Sequence, residues 1–248
     1  MTRVTIKEQR WIATSTAQFI LEKPDNYEFS AGQYFNVRLP GKKQPGAEPQ
    51  DITHTFTIAS SPRDDELSFV TRMRRSAYKK RLDGIGEGAE LEISGPSGEF
   101  RLHSARDRTA VLIAGGIGIT PFWSIMRTLG GQGKAPRPIV LLYSNRRPQD
   151  AAFLRAFEEM EEQRDDFRMI ATMTEPDFAE IGWSGDTGRI DQKLLRKAAP
   201  QPSAADFYIA GPPGMVDAMN SLVRDSGVPE GQVFAEPFAG YEERAAGD

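Results

Sequence analysis

The chain has 248 residues, enough for one large core or two ordinary ones, and domains of about 100 to 150 residues make two the expected number. Its composition, 39% hydrophobic and 27% charged, is that of a globular protein, with no apolar run long enough to cross a bilayer. The absence of cysteine excludes disulfides, cysteine nucleophiles, zinc–thiolate sites and cysteine-ligated iron–sulfur clusters, while a net charge of −4 argues against general nucleic-acid binding. Any redox chemistry must then use a bound organic cofactor or a separate partner. The first eight residues lack the apolar core of a signal peptide, so a cytoplasmic location with no membrane partner is expected.

In chain order, short β-branched and aromatic runs at 4–13, 17–21, 34–39, 55–59, 67–73 and 90–93 are separated by Gly, Pro, Asp and Asn. That spacing predicts about six strands of a small antiparallel barrel. Residues 41–50 read as a polar Pro/Gly loop. Beyond 106–108 the pattern changes. Apolar strands at 109–114, 139–144, 169–174 and 207–210 alternate with helical stretches, as in a parallel α/β sheet. One helix shows its period plainly, with Phe153, Leu154, Phe157 and Met160 on a core face and Glu158, Glu159, Glu161 and Glu162 solvated. The chain divides accordingly into a β-barrel domain, 1–105, and an α/β domain, 106–248, whose tail from 242 onward is expected to fray.

The segment Ala114-Gly115-Gly116-Ile117-Gly118-Ile119-Thr120-Pro121 follows the first parallel strand directly. A glycine turn between strand and helix lets backbone N–H groups approach a phosphate, and the helix N-terminus adds partial positive charge. Gly116, Gly118 and Thr120 are candidates for that contact, with Thr120 expected to cap the helix and Pro121 to fit its first turn. The spacing is not G-x-G-x-x-G, and such turns also occur without a ligand.

Four motifs in order resemble the ferredoxin–NADP reductase family over nearly the whole chain. His54-Thr55-Phe56-Thr57-Ile58-Ala59-Ser60-Ser61-Pro62 is similar to the family's flavin-binding strand, usually Arg-x-Tyr-Ser. Arg72 to Leu82, with Gly95-Pro96-Ser97-Gly98, resembles the flavin-phosphate helix and a barrel-closing turn. The glycine turn is the third. Phe207-Tyr208-Ile209-Ala210-Gly211-Pro212-Pro213-Gly214-Met215 with the ending Glu236-Pro237-Phe238-Ala239-Gly240-Tyr241 is the fourth.

The resemblance implies a six-stranded Greek-key flavin barrel followed by a nucleotide-binding α/β domain. It also implies that Phe56 packs on the flavin ring and that the Thr57 hydroxyl bonds flavin N5. His54 stands where the family carries Arg, although the NADPH oxidase and ferric reductase branch carries a similar His-Pro-Phe-Thr and binds FAD. Arg72, Arg74 and Ser76 would serve the flavin pyrophosphate, Arg72 and Arg74 sharing one face if the strand extends that far. Arg75, Lys79 and Lys80 look outward, and with Arg81 they offer a surface to an acidic partner. Gly211 and Pro212 would face the nicotinamide, where Ala210 replaces a Cys common in relatives, and Phe238 or Tyr241 would approach the flavin. Thr57 and Tyr241 are the residues expected to act in catalysis.

Ser144, Arg146 and Arg147 follow the second parallel strand, where an acidic residue would bond the NADH ribose and repel a 2′-phosphate. This segment holds none, so NADPH is expected over NADH, and Thr172-Met173-Thr174 is expected to line the same groove. The implied activity is FAD-dependent hydride transfer from NAD(P)H, with electrons passing to a ferredoxin or flavodoxin, or to the small electron carrier of an oxygenase system. An enzyme that reduces free flavin is one alternative; a non-catalytic flavin-binding interaction or sensor module is another. No metal site is expected.

Overall fold

The computed structural model describes residues 1–41, 51–103, 108–131, 133, 135–175 and 183–238. The first strands are β1 (Thr2–Ala13), β2 (Thr16–Glu22), β3 (Tyr34–Leu39), β4 (Ile52–Thr57), β5 (Glu66–Arg72) and β6 (Glu90–Ser97). They pair antiparallel in the order β4-β3-β6-β1-β2-β5. Period-two alternation drives the arrangement: in β3, Phe35, Val37 and Leu39 are buried while Tyr34, Asn36 and Arg38 turn outward. The buried set forms one core with Phe19, Leu21, Phe69, Leu91 and Ile93, and Phe19 stacks on Phe69 with ring centroids 5.0 Å apart. The sheet closes where Ala59 N–H donates to the Ser68 carbonyl at 2.7 Å, making the expected Greek-key barrel. Helix α1 (Ala77–Asp83) buries Tyr78 and Leu82 in this core, with the Tyr78 hydroxyl donating to the Val37 carbonyl.

Two local expectations are corrected. Gly95-Pro96 is not a turn beyond the strand; it lies inside β6, opposite the register irregularity between Tyr34 and Asn36. Phe153 is not part of a helix: it precedes α3 (Leu154–Gln163) at φ 61° and stacks on Trp123 at 4.2 Å. The rest of the predicted face holds, with Phe157 fully buried and Leu154 and Met160 packed against the same core.

The second sheet comprises β7 (Thr109–Gly115), β8 (Ile139–Asn145), β9 (Phe167–Met173), β10 (Asp186–Thr187), β11 (Ala205–Gly211) and β12 (Val233–Pro237). All pairs are parallel, in the order β10-β9-β8-β7-β11-β12. α2 (Thr120–Gly130) and α3 cover one face through Phe122, Ile125, Met126 and Phe157. α4 (Gln192–Ala198) and α5 (Pro213–Asp225) cover the other through Leu194, Leu195, Val216, Met219 and Val223. The two edge strands, the two-residue β10 and β12, were not anticipated. At the opposite end from the glycine turn, the buried Arg137 guanidinium pairs with Asp206 at 2.5 Å and donates to the Tyr208 hydroxyl at 2.9 Å.

α2 ties barrel to sheet. Ser124 Oγ donates to the Ser60 carbonyl at 2.6 Å, Ser61 and Thr128 hydroxyls meet at 3.0 Å, and Arg127 pairs with Asp64 at 2.9 Å. The expected boundary at 105/106, residues 42–50 of the polar loop and the tail lie outside the described residues. Among those described, no helix is long and apolar enough to cross a membrane.

Candidate functional site

The exit of β7 passes the exit of β11 with no side chain between them. A Cβ on Gly118 would fall on the Ala210 carbonyl, and one on Gly211 would lie 3.2 Å from the Gly115 nitrogen. Gly118 is therefore a packing glycine, buried rather than open to a ligand. Gly116, at φ +55°, is the partly exposed member of the turn, and a Cβ there would stand 3.1 Å from the guanidinium of Arg72. The last residue of the barrel strand β5 thus comes to rest on the first turn of the α/β sheet. Thr120 is buried and its hydroxyl donates to the Ile117 carbonyl at 3.1 Å, so it does not cap α2, which has no side-chain cap. Pro121 does occupy the first turn of that helix.

On the barrel side, His54 and Phe56 share one face of β4 beside α1. The His54 ring stacks on Tyr78 at 4.0 Å, and Phe56 stacks on Phe69 at 4.6 Å. Phe56 therefore belongs to the barrel core. Lys79 does not look outward: its ammonium lies 4.3 Å from the Phe56 ring centroid and donates to the Thr71 hydroxyl. Burial, with Arg74 as a second cause, pushes its pKa down to about 7. Burial and the Lys79 charge in turn lower the pKa of His54, which favours the neutral ring over a charge clamp.

Ser76 caps α1 by accepting from Lys79 N–H at 3.3 Å. Arg74 stands past the end of β5, so it does not share a strand face with Arg72. Thr57 is 8% exposed, and its hydroxyl makes no hydrogen bond among the described residues.

Pro212 sits at the start of α5. Phe238 N–H donates to the Gly211 carbonyl at 2.8 Å, and its ring packs against Ala59, Val70 and Ile117, where barrel meets sheet. Glu236 pairs with Ala210 in register and alternates with Phe234 and Phe238 on that face of β12. Its Oε2 is buried without a partner, and burial raises its pKa to about 7. Sequence reading gave this carboxylate no role; the available signal was an acid at period two between aromatics. Tyr241 lies outside the described residues.

Ser144 pairs in register with Gly115 near the end of β8, Arg146 and Arg147 follow the strand, and although residues 143–147 hold no acid, one from farther along the chain stands beside the two arginines. Glu175, arriving after β9, accepts from Arg146 Nε at 2.7 Å and from Arg147 Nη2 at 3.2 Å. Both guanidiniums hold its carboxyl below the usual range. Thr172 is buried and donates to the Gly188 carbonyl, and Met173 is buried too, so neither lines an open groove.

Residues 112–221 match the family model described as oxidoreductase NAD-binding domain. The reductase component of propane 2-monooxygenase from Rhodococcus jostii (strain RHA1) is 29% identical over 219 residues, 87% of this chain and 57% of that protein. The flavohem-like FAD/NAD binding domain of nitric oxide dioxygenase from Vibrio cholerae O1 biovar El Tor superposes with a TM-score of 0.81 at 18% identity, over 95% of this chain and 98% of that one. A ferredoxin NADP+ reductase from Neisseria gonorrhoeae with bound FAD and NADP gives 0.79 at 19% identity, over 95% and 98%. These two likenesses establish the fold. The chain spans 57% to 61% of the length of the first curated relatives it matches.

Proposed function

We propose that the chain is a member of the ferredoxin–NADP reductase superfamily and works as an FAD-dependent oxidoreductase that draws hydride from NAD(P)H and releases electrons to a separate acceptor, a reading supported by the match of residues 112–221 to the oxidoreductase NAD-binding domain and by the reductase-component relatives. Residues 1–105 take the role of the FAD-binding domain and 106–248 that of the NAD(P)-binding domain. The observation that carries this reading is the meeting of Arg72 with Gly116. A guanidinium and a side-chain-free backbone turn, contributed by different sheets, converge where a phosphate needs both charge and N–H donors. The free hydroxyl of Thr57 and the orphaned carboxyl oxygen of Glu236 add two polar groups awaiting a partner.

The residues present fit FAD, which when bound supplies the conversion of a two-electron hydride into single-electron steps. We assign Thr57 the hydrogen bond at flavin N5, and Arg72, Arg74 and Ser76 the flavin pyrophosphate, with His54 packing as a neutral ring beside it. Gly116 and the N–H groups after it receive the NAD(P)H phosphates, Gly211 and Pro212 border the nicotinamide, and Phe238 walls the flavin. Glu236 holds or releases a proton near neutrality beside Gly211. Orientation and water exclusion by these groups would carry most of the rate advantage.

The chain contains no cysteine, so the electrons leave to a centre outside these 248 residues. The reading names as acceptor a small acidic carrier of ferredoxin or flavodoxin kind, or an oxygenase component. Support comes from relatives described as a propane 2-monooxygenase reductase component and a toluate 1,2-dioxygenase electron transfer component. Arg75 and Lys80, both exposed, offer that partner positive charge in a cytoplasmic setting.

The test is to purify the protein, release its cofactor by heat and identify it, then follow NADH and NADPH oxidation with ferricyanide. Retained FAD and rapid turnover support the reading. Flavin that washes out on desalting yet is reduced in solution favours the free-flavin reductase. Bound flavin without turnover favours a sensor module.

A further inference from the structure

Arg146 and Arg147 are the residues a sequence would offer to the 2′-phosphate of NADPH, and both already have a partner. Glu175 engages Arg146 through one carboxylate oxygen and Arg147 through the other. The backbone sets this triad in place: Glu175 N–H donates to the Arg146 carbonyl at 3.0 Å, and Thr174 N–H donates to the Asn145 carbonyl at 3.0 Å. The ends of β8 and β9 are thereby locked side by side, and the carboxylate is delivered between the two arginines without a loop having to close.

Resting on the oxidoreductase reading above, we propose that Glu175 sets coenzyme choice in favour of NADH, by holding Arg146 and Arg147 and presenting a carboxylate to the adenosine ribose. A carboxylate has about four acceptor directions, and two are used here, so it can still accept from ribose hydroxyls. A 2′-phosphate brings about two negative charges to the same place. It must either break both charge-assisted bonds or sit against the carboxylate, and both routes oppose NADPH. This reverses the preference read from residues 143–147 alone, because the acid comes from the neighbouring strand.

Glu175→Gln and Glu175→Ala test the assignment. The arginines are largely exposed, with side-chain accessibilities of 71% and 48%, so loss of the pairs leaves the fold intact. Binding of adenosine 2′,5′-bisphosphate and of 5′-AMP is measured by calorimetry at low salt, and kcat/KM is measured for both coenzymes. In both variants bisphosphate affinity should rise roughly ten-fold or more and 5′-AMP affinity should hold or fall, with kcat/KM moving toward NADPH in step. Adding Arg146→Ala to Glu175→Gln should erase the gain. Unchanged or weaker bisphosphate binding in both variants, or a wild-type protein that already prefers NADPH ten-fold, would overturn the proposal. Failure of wild type and variants to bind either nucleotide, with no oxidation of either coenzyme, would overturn the oxidoreductase reading itself and this assignment with it.

Discussion

Glu236→Gln exchanges a carboxyl for a neutral amide of the same shape at a position where burial raises the carboxyl pKa from 4.5 to about 7. Between those values the folded protein holds a proton that the unfolded chain has released, so wild-type stability falls as pH rises through this window. The ionised form, fully present above 7, is penalised by about 3 kcal/mol at 1.36 kcal/mol per pKa unit, or about 2 kcal/mol once residual solvent contact is allowed for. The amide carries no such penalty at any pH. Its own N–H groups meet a pocket in which Oε2 has no partner, and that cost is the same at every pH. The informative quantity is therefore the stability difference between variant and wild type at pH 8 minus the same difference at pH 5. It should be about 2 kcal/mol in favour of the glutamine, or about 4 to 8 °C in melting temperature for a chain of this size. Calorimetric or circular-dichroism melts at the two pH values measure it. Equal differences at both pH values, or a larger benefit at pH 5, would refute the argument. A variant that is stabilised at pH 8 and yet loses turnover would mark Glu236 as a group kept for function at the expense of stability.

Thr57→Val should slow reduction by NAD(P)H roughly five- to 150-fold, the loss of one hydrogen bond, while flavin content and melting temperature stay close to wild type; stopped-flow spectroscopy at wild-type speed would count against the assignment. Lys79→Met should stabilise the protein most below pH 7. Folding lowers the pKa of Lys79 from 10.5 to about 7, so wild-type stability rises with pH over that range, and the advantage of the variant should shrink by on the order of 2 kcal/mol between pH 6.5 and 9.5 in denaturation curves. Asp206→Ala removes the carboxylate that meets the fully buried Arg137 guanidinium at 2.5 Å and should cost about 3 kcal/mol in urea unfolding, whereas an effect under about 1 kcal/mol would refute a dominant role for this pair.

The barrel and the parallel sheet were legible because their signals are local. Alternation in Phe35, Val37 and Leu39, the continuous apolar run of 109–114 and the glycine turn each specify a backbone state within a few residues. Strand β12 escaped notice because an edge strand needs little apolar content, and its residues Val233 to Pro237 gain their pairing from β11. Gly118 was legible as a glycine but not for its reason, since the atom it avoids is a carbonyl 92 positions along the chain.

The sequence by itself determined the two-sheet architecture and the glycine turn after β7, because periodicity and backbone freedom are properties of short segments. The tertiary structure decided the electrostatics. A side chain's charge depends on what folding brings within a few ångströms of it. Lys79 was counted as outward-facing until its place over Phe56 emerged, and Arg146 and Arg147 looked free until Glu175 arrived from 28 residues or more downstream. Glu236 was one letter in a C-terminal motif until burial left its carboxyl without a partner. Each reversal has the same physical origin: desolvation and pairing act through space, and no window of neighbouring residues contains the partner.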